Sequence, residues 1–491
     1  MSSLYTISTY ILKFLTKSFR RSFFFTIIFE ICNFFEKQWV NSYLKSLYPN
    51  ENLLSIVKRN KIIANHIFAP AIVILLFAIF LLLSMSPISL DLQINIAIGF
   101  ISFLIGSMIL PNYFFNNKKV NKENKDNLNN NNKDEENKNI LNNKYNLNNN
   151  KDEENKNILN NNYNSHKENN NENKKNKNTY LSFIKFNYDD IYSIGFCLIL
   201  VGVIFFFLSV ASVGGIPLIK PSLRYSLKPI LTMPVFLMIP GIGLLAASYL
   251  NKYKQKLITR SQARFRFILL IAISSFFLFA LGYRTPIIAV LLIMIIISYY
   301  GEILALWEII IGAIIGIGVI IGIGYFRSLE EYMITSNTSP LYSLQSRADF
   351  TLHVLNLLNY ISGDFGLKHG ALTLSSIPGS DLGPRMTIGK LIAWRTEVTV
   401  TPTLIGPMIV DFGRLGVAIG MGFLGFILGI GYKIIQKTKD SFYIALYAIL
   451  LTYTILGIET GILDIQVIVY FILGFLVYLA NIFAFKKEIE L

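Results

Sequence analysis

The strongest constraint on this chain is a succession of apolar segments, most of them about as long as a bilayer is thick. A membrane-crossing helix needs ~20 apolar residues, with ~17 as a practical floor. Ten segments reach or approach that length: 62–85, 92–112, 191–213, 231–250, 266–281, 285–300, 309–325, 415–432, 441–457 and 465–483. Inside hydrocarbon no water bonds the backbone N–H and C=O groups, so such segments must be helical. Composition agrees: 53% of the residues are hydrophobic and 15% charged, where a soluble domain carries about 25% charged residues. The expected fold is an all-α polytopic membrane protein with about ten transmembrane helices. Cys32 and Cys197 both lie in apolar runs, so neither a disulfide framework nor a zinc site is visible.

The segments divide the chain. Residues 1–61 read as a cytoplasmic extension; its apolar run Phe23–Phe35 contains Glu30 and is flanked by Lys17, Arg20, Arg21 and Lys37, which predicts an interfacial helix rather than a span or a cleaved leader. Residues 62–115 form a first transmembrane hairpin. Residues 116–179 are dominated by Asn, Lys and Glu, and KDEENKNILNN occurs at 133–143 and again at 151–161. So few apolar side chains do not offset the entropy of ordering, so a disordered low-complexity linker is expected. Residues 180–325 carry spans three to seven, 326–414 form one long loop, and 415–491 carry spans eight to ten and a short tail.

Charge fixes the sides. The loop 251–266 holds Lys252, Lys254, Lys256, Arg260, Arg264 and Arg266 without an acid, which marks it as cytoplasmic. Ten spans then place both termini and the linker inside, and 86–91, 214–229, 282–285, 326–414 and 458–464 outside. The 45 Lys and Arg divide 34 to 11 between the two sides, and the 30 Asp and Glu divide 20 to 10. The net +15 is therefore +14 inside and +1 outside, so topology explains it and no nucleic-acid partner is required. Arg and Lys sort unequally: six of the 34 inner cations are Arg, but seven of the 11 outer ones are, namely Arg224, Arg284, Arg327, Arg347, Arg385, Arg395 and Arg414. Either cation satisfies a positive-inside bias, whereas Arg alone presents a planar fork to phosphate or carboxylate. The outer arginines either grip an anionic group or pair with Glu330, Glu331, Asp349, Asp364, Asp381, Glu397 and Asp411 nearby.

Three outer segments concentrate the candidates. Gly214-Gly215-Ile216-Pro217-Leu218 is a turn followed by Arg224 and Lys228; Gly282-Tyr283-Arg284-Thr285 holds a charge between two short apolar helices. The loop 326–414 is too rich in Leu, Phe, Trp and Gly for disorder. Within it, apolar residues at 344, 348, 352 and 355 predict a helix over Leu341–Ile361 along the outer leaflet, carrying Arg347, Asp349 and His353. His369 and the run from Thr401-Pro402-Thr403 to Asp411-Phe412-Gly413-Arg414-Leu415-Gly416 follow. The pairs Gly312/Gly316, Gly318/Gly322, Gly416/Gly420 and Gly425/Gly429 predict close helix packing. Asp189-Asp190 lacks companions for a metal, and no nucleotide-binding or zinc-protease motif occurs. Mid-span charges are missing, which speaks against a proton- or ion-coupled transporter.

From Ile191 to about Asn481, roughly three-fifths of the chain, the order of these features resembles the oligosaccharide repeat-unit polymerases, the Wzy-type O-antigen polymerase family. The matching features are GGIPL with Arg224, GYRT with Arg284, the long outer loop with Arg347, and TPT…DFGRLG. The resemblance implies a GT-C-like polymerase/ligase architecture and a metal-independent, cofactor-free inverting glycosyltransferase. Such an enzyme moves a glycan from one polyprenyl (dolichyl) diphosphate onto another lipid-linked repeat unit at the outer face. Its partners would be those lipid-linked donors and acceptors and the bilayer; a chain-length regulator is not identifiable. Read onto this chain, Arg284 and Arg347 are the first choices for the diphosphate, Arg224 and Arg414 the second, and Asp411, His353 and His369 are the candidate bases. A flippase for lipid-linked oligosaccharide and a ligase remain the alternatives.

Overall fold

The computed structural model of the protein describes residues 67–112, 186–304, 340–377, 379, 380, 382–393 and 399–490, with isolated positions from 308 to 322. The expected interfacial helix at 23–35, the linker 116–179, most of the span 309–325, and Arg327 and Arg395 lie outside the described residues. The chain divides into two units, the larger comprising 1–108 and 186–479; the packing described below belongs to that unit.

Among the described residues the regular structure is helical: α1 (Ile72–Leu83), α2 (Leu90–Asn112), α3 (Tyr188–Val213), α4 (Pro229–Lys254), α5 (Arg260–Ala280), α6 (Arg284–Tyr300), α7 (Pro340–Ser362), α8 (Ala371–Leu374), α9 (Pro384–Ala393), α10 (Gly406–Thr438), α11 (Ser441–Thr460) and α12 (Ile465–Glu490). Seven of these, α2 to α5 and α10 to α12, are long and apolar enough to cross a membrane. The apolar helices α1 and α6 are shorter, at 12 and 17 residues. At ~1.5 Å per residue α1 reaches about 18 Å, short of a ~30 Å hydrocarbon core. Within the described part of the expected span 62–85, helix begins only at Ile72, after Pro70, since proline disfavours helix in the residue before it. The Phe68 carbonyl left ahead of α1 accepts hydrogen bonds from the hydroxyls of Tyr447 at 2.7 Å and Tyr300 at 3.1 Å.

α11 is the centre of the bundle: 78% of its span is buried, and it packs against α1, α4, α6 and α10. α3 lies at the periphery with 22% buried, and exposed Phe207, Phe276, Ile419 and Leu473 present apolar surface outward. Side-chain bonds tie the helix ends into two groups. At one end the Lys254 ammonium donates to the Lys439 carbonyl, Tyr188 to Asp440, and Arg260 and Arg264 to the Ile303 carbonyl. At the other end the Leu218 N–H donates to the Ala280 carbonyl at 3.0 Å, so the GGIPL turn is fastened to the turn that begins GYRT. The loop 251–259 and the turns bearing Arg224 and Arg284 therefore lie at opposite ends of α4 and α5.

α7 matches the helix expected over Leu341–Ile361 to within a residue at each end. It is no isolated surface helix, however. Ala348, Thr351, Leu352, Val354, Leu355, Leu358 and Asn359 are all buried, and α7 packs against α10, α1 and α2. Its buried arc is wider than the four-position stripe because threonine and asparagine share the interior.

α10 begins nine residues earlier than the expected eighth span and is broken inside. Phe412 (φ −138°, ψ 16°) and Gly413 (φ 59°, ψ −141°) are non-helical. A Cβ on Gly413 would fall 2.0 Å from the Asp364 carbonyl oxygen, so only glycine lets the loop 363–370 enter the break. Of the expected small-residue pairs, Gly425 does pack helix on helix, its α-carbon facing the Phe103 carbonyl of α2. Gly416 and Gly420 instead make room for Met408 of the same helix. Gly312, Gly316, Gly318 and Gly322 face no described atom within 4 Å. Replacing Gly413 by Ala should lower stability by about 1–3 kcal/mol or more, since that backbone region is nearly closed to other residues. Gly422→Ala, whose new methyl meets nothing nearer than 3.6 Å, should be tolerated. Thermal unfolding of the two variants in detergent measures the difference.

Candidate functional site

At the arginine-bearing end, two elements distant in sequence bring arginines to a carboxylate on a third. Arg347, on α7, places Nε 2.8 Å from Oε1 of Glu459. Arg284, the first residue of α6, places Nη2 3.6 Å from the same oxygen. Glu459 lies in the last turn of α11, one residue before its end. Arg224, from the turn Pro221–Ser226, stands 4.8 Å above the ring of Tyr283, the residue next to Arg284. Tyr283 is held in turn by an edge contact with Phe236 at 5.7 Å. A planar guanidinium over an aromatic face is attracted by the ring quadrupole, which fixes Arg224 without neutralising it.

The pairing opposes the fields of the helices involved. A helix N-terminus carries partial positive charge and a C-terminus partial negative charge, which disfavours Arg284 and Glu459 where they stand by ~0.3–1 kcal/mol each. Each charge relieves the other, so the arrangement depends on their meeting. Arg284, Arg347 and Glu459 keep 24%, 39% and 37% of their side chains exposed, which leaves the cluster reachable from solvent. Among the described residues, one carboxylate thus meets two guanidiniums, with Arg224 close by.

The other expected cation, Arg414, is held differently. Its Nη2 lies 2.9 Å from Asp364 and 3.4 Å from Asp91, so two carboxylates oppose one guanidinium. Arg385 pairs with Asp464 at 2.6 Å. The geometry therefore brings together Arg284, Arg347 and Arg224 and sets Arg414 apart. Of the acids weighed as partners for the outer arginines, Asp364 does pair with Arg414, whereas Arg284 and Arg347 share Glu459 from outside that group.

The three base candidates occupy other positions. Asp411 is 1% exposed; its carboxylate accepts from the Leu372 N–H at 3.0 Å, the Thr373 N–H at 2.9 Å and the Thr373 hydroxyl at 2.6 Å. It caps the first turn of α8, a structural task for a carboxylate at a helix N-terminus. The neighbouring carbonyls complete the fastening: Val410 accepts from Leu367 and Lys368, and Asp411 from the His369 N–H at 2.8 Å. The DFGRLG run is thus a joint, in which Asp411 caps α8, Gly413 opens α10 and Arg414 pairs with Asp364. His369 is exposed at this joint with φ 47°. His353 is exposed on α7. It shares a helix face with Asp349 and Asn356, which hold the α1–α2 loop: Asp349 accepts from Ser84, Met85 and Ser86, and Asn356 from Ser89. The hydrogen bond from Ser84 foremost, with those from Met85 and Ser86, holds the Asp349 carboxyl below the usual carboxylate range.

Glu459 escaped the reading of the sequence because it sits at the end of an apolar helix, away from the long loop. Its signal is an acid in the final turn of a span, followed by Gly461 at φ 76°. The TPT run is its support, since a Cβ on Gly461 would meet the Thr403 carbonyl at 3.0 Å and Pro402 at 3.2 Å. Among the described residues no three His, Cys, Asp or Glu side chains come together in the manner of metal ligands.

The sequence model of a family described as "Putative O-antigen polymerase" matches residues 66–142 and 156–471. An uncharacterised protein of Methanocaldococcus jannaschii is 30% identical over 293 residues, covering 59% of this chain and 77% of the relative. No solved structure matches the chain.

Asp411→Asn turns an amide toward backbone donors and should destabilise the loop around α8 by about 1–3 kcal/mol, the cost of stranding a buried donor. Limited proteolysis between 363 and 383 should accelerate accordingly. A residue that serves only as a base would leave the cleavage rate unchanged.

Proposed function

The chain belongs to the O-antigen polymerase family, and from that premise we propose that it extends a glycan at the outer face of the cell membrane. It would act as a multi-pass protein of about ten spans and GT-C-like architecture, with both termini in the cytoplasm. A growing oligosaccharide on a polyprenyl (dolichyl) diphosphate is transferred to the terminal sugar of a second lipid-linked repeat unit. The observation that carries this reading is the meeting of Arg284 and Arg347 on one carboxylate, with Arg224 stacked beside them.

A lipid diphosphate leaves with its charge increasing on the phosphate oxygens. Guanidiniums fixed before the reaction stabilise that charge without reorganising, and two forks match the two phosphates in geometry as well as charge. Arg284 and Arg347 are assigned to the diphosphate and Arg224 to its flank. Arg414, already opposed by Asp364 and Asp91, is assigned to holding the joint in α10. The apolar sides of the bundle leave the polyprenyl tail in lipid while the sugars stay at the polar end. Arginine takes the place that a divalent cation fills in many diphosphate sites, so transfer should persist in EDTA.

Purified protein supplied with a lipid-linked repeat unit should yield a ladder of chain lengths. Arg284→Lys keeps the charge but loses the fork, and should lose most of that ladder, a fall of ~100-fold or more for a lost electrostatic donor. Arg414→Ala should retain turnover in the fraction that folds. A full ladder from Arg284→Ala would overturn the assignment.

A further inference from the structure

The geometry points to Glu459 as the group that holds the diphosphate site before substrate arrives and then takes the acceptor's proton; this rests on the glycan-transfer reading above. Its Oε1 lies 2.8 Å from Arg347 Nε and 3.6 Å from Arg284 Nη2, where a phosphate oxygen would bind. A carboxylate there occupies the anion position between the two guanidiniums while the site is empty, and so competes with an incoming phosphate. The other carboxylates described at this end are engaged elsewhere: Asp349 by the α1–α2 loop, Asp364 and Asp91 by Arg414, Asp464 by Arg385, and Asp411 by α8. Among the carboxylates whose ion pairs are described above, Glu459 is the one paired with Arg284 and Arg347.

An incoming diphosphate carries more charge than one carboxylate and binds both forks bidentately, so it displaces Glu459 from them. The freed carboxylate stays tethered to the end of α11 and swings to the side of the anomeric carbon opposite the phosphates, the face from which an inverting attack must come. The acceptor hydroxyl then gives its proton to a Glu459 oxygen as its own oxygen bonds to that carbon. The bond from the carbon to the phosphate oxygen breaks, its electron pair staying on the diphosphate between Arg284 and Arg347. Glu459 afterwards releases the proton to water. One displacement with one base inverts the anomeric centre, and a base of this kind contributes ~10²–10⁴-fold to rate.

The test uses the full-length protein in nanodiscs, with farnesyl diphosphate as the binding probe and a lipid-linked repeat unit as substrate. Glu459→Gln should bind the probe about two- to fivefold more tightly, the worth of a partly exposed ion pair, while its glycan ladder falls by ~100-fold or more. A group that merely orients the arginines would weaken probe binding when changed, and that result overturns the placeholder. A full ladder from Glu459→Gln beside a full wild-type ladder overturns the base. Wild-type protein that binds the probe but builds no ladder refutes the glycan-transfer reading itself, and the base with it. Glu459→Asp, which keeps the carboxylate on a shorter stem, should recover part of the ladder.

Discussion

Inside a bilayer a backbone can leave the helix only where the protein itself satisfies the freed N–H and C=O groups. Among the described residues, two departures from helix are satisfied by the protein itself. Ahead of α1, the Phe68 carbonyl is taken by the hydroxyls of Tyr447 and Tyr300. In α10, the break at Phe412 and Gly413 exposes the carbonyls of Val410 and Asp411, and the N–H groups of Leu367, Lys368 and His369 fill them. The Arg414 N–H in turn donates to the Asp364 carbonyl. The loop that follows α7 is therefore the missing part of α10's hydrogen bonding. That exchange binds α7, and with it Arg347, to the helices of the bundle.

A second constraint is electrostatic. Arginine opens α6 and glutamate closes α11, each against the partial charge of its own helix end, and the two meet with Arg347. Motifs hundreds of residues apart build this point jointly: GGIPL fastens to the end of α5, GYRT supplies Tyr283 and Arg284, and TPT packs beneath the turn after Glu459.

Much of this was legible in the sequence. Helix positions followed from apolar length, and α7 from the spacing of residues 344, 348, 352 and 355. The excess of arginine among the outer cations singled out seven residues, with Arg284 and Arg347 as first choices and Arg224 and Arg414 as second; the structure brings the first three together. Other features depend on tertiary contacts. Asp411 looks like a base in a motif-like run, yet it caps α8, because a four-residue helix across the loop offers it donors. Arg414 resembles the other arginines until Asp364 and Asp91 approach it from remote segments. Glu459 is inconspicuous at the end of an apolar helix, and becomes the hub only when α6 and α7 bring their cations to it. The break in α10 was equally hidden, since a glycine in a span more often marks close packing.

The central claim is that this protein joins repeat units at the outer face rather than carrying them across or attaching finished chains. The glycan profile of a deletion strain tests it most directly. The account predicts single repeat units displayed outside and no long chains. A surface without repeat units would indicate transport instead, and long chains accumulating unattached would indicate a ligase; either result would contradict it.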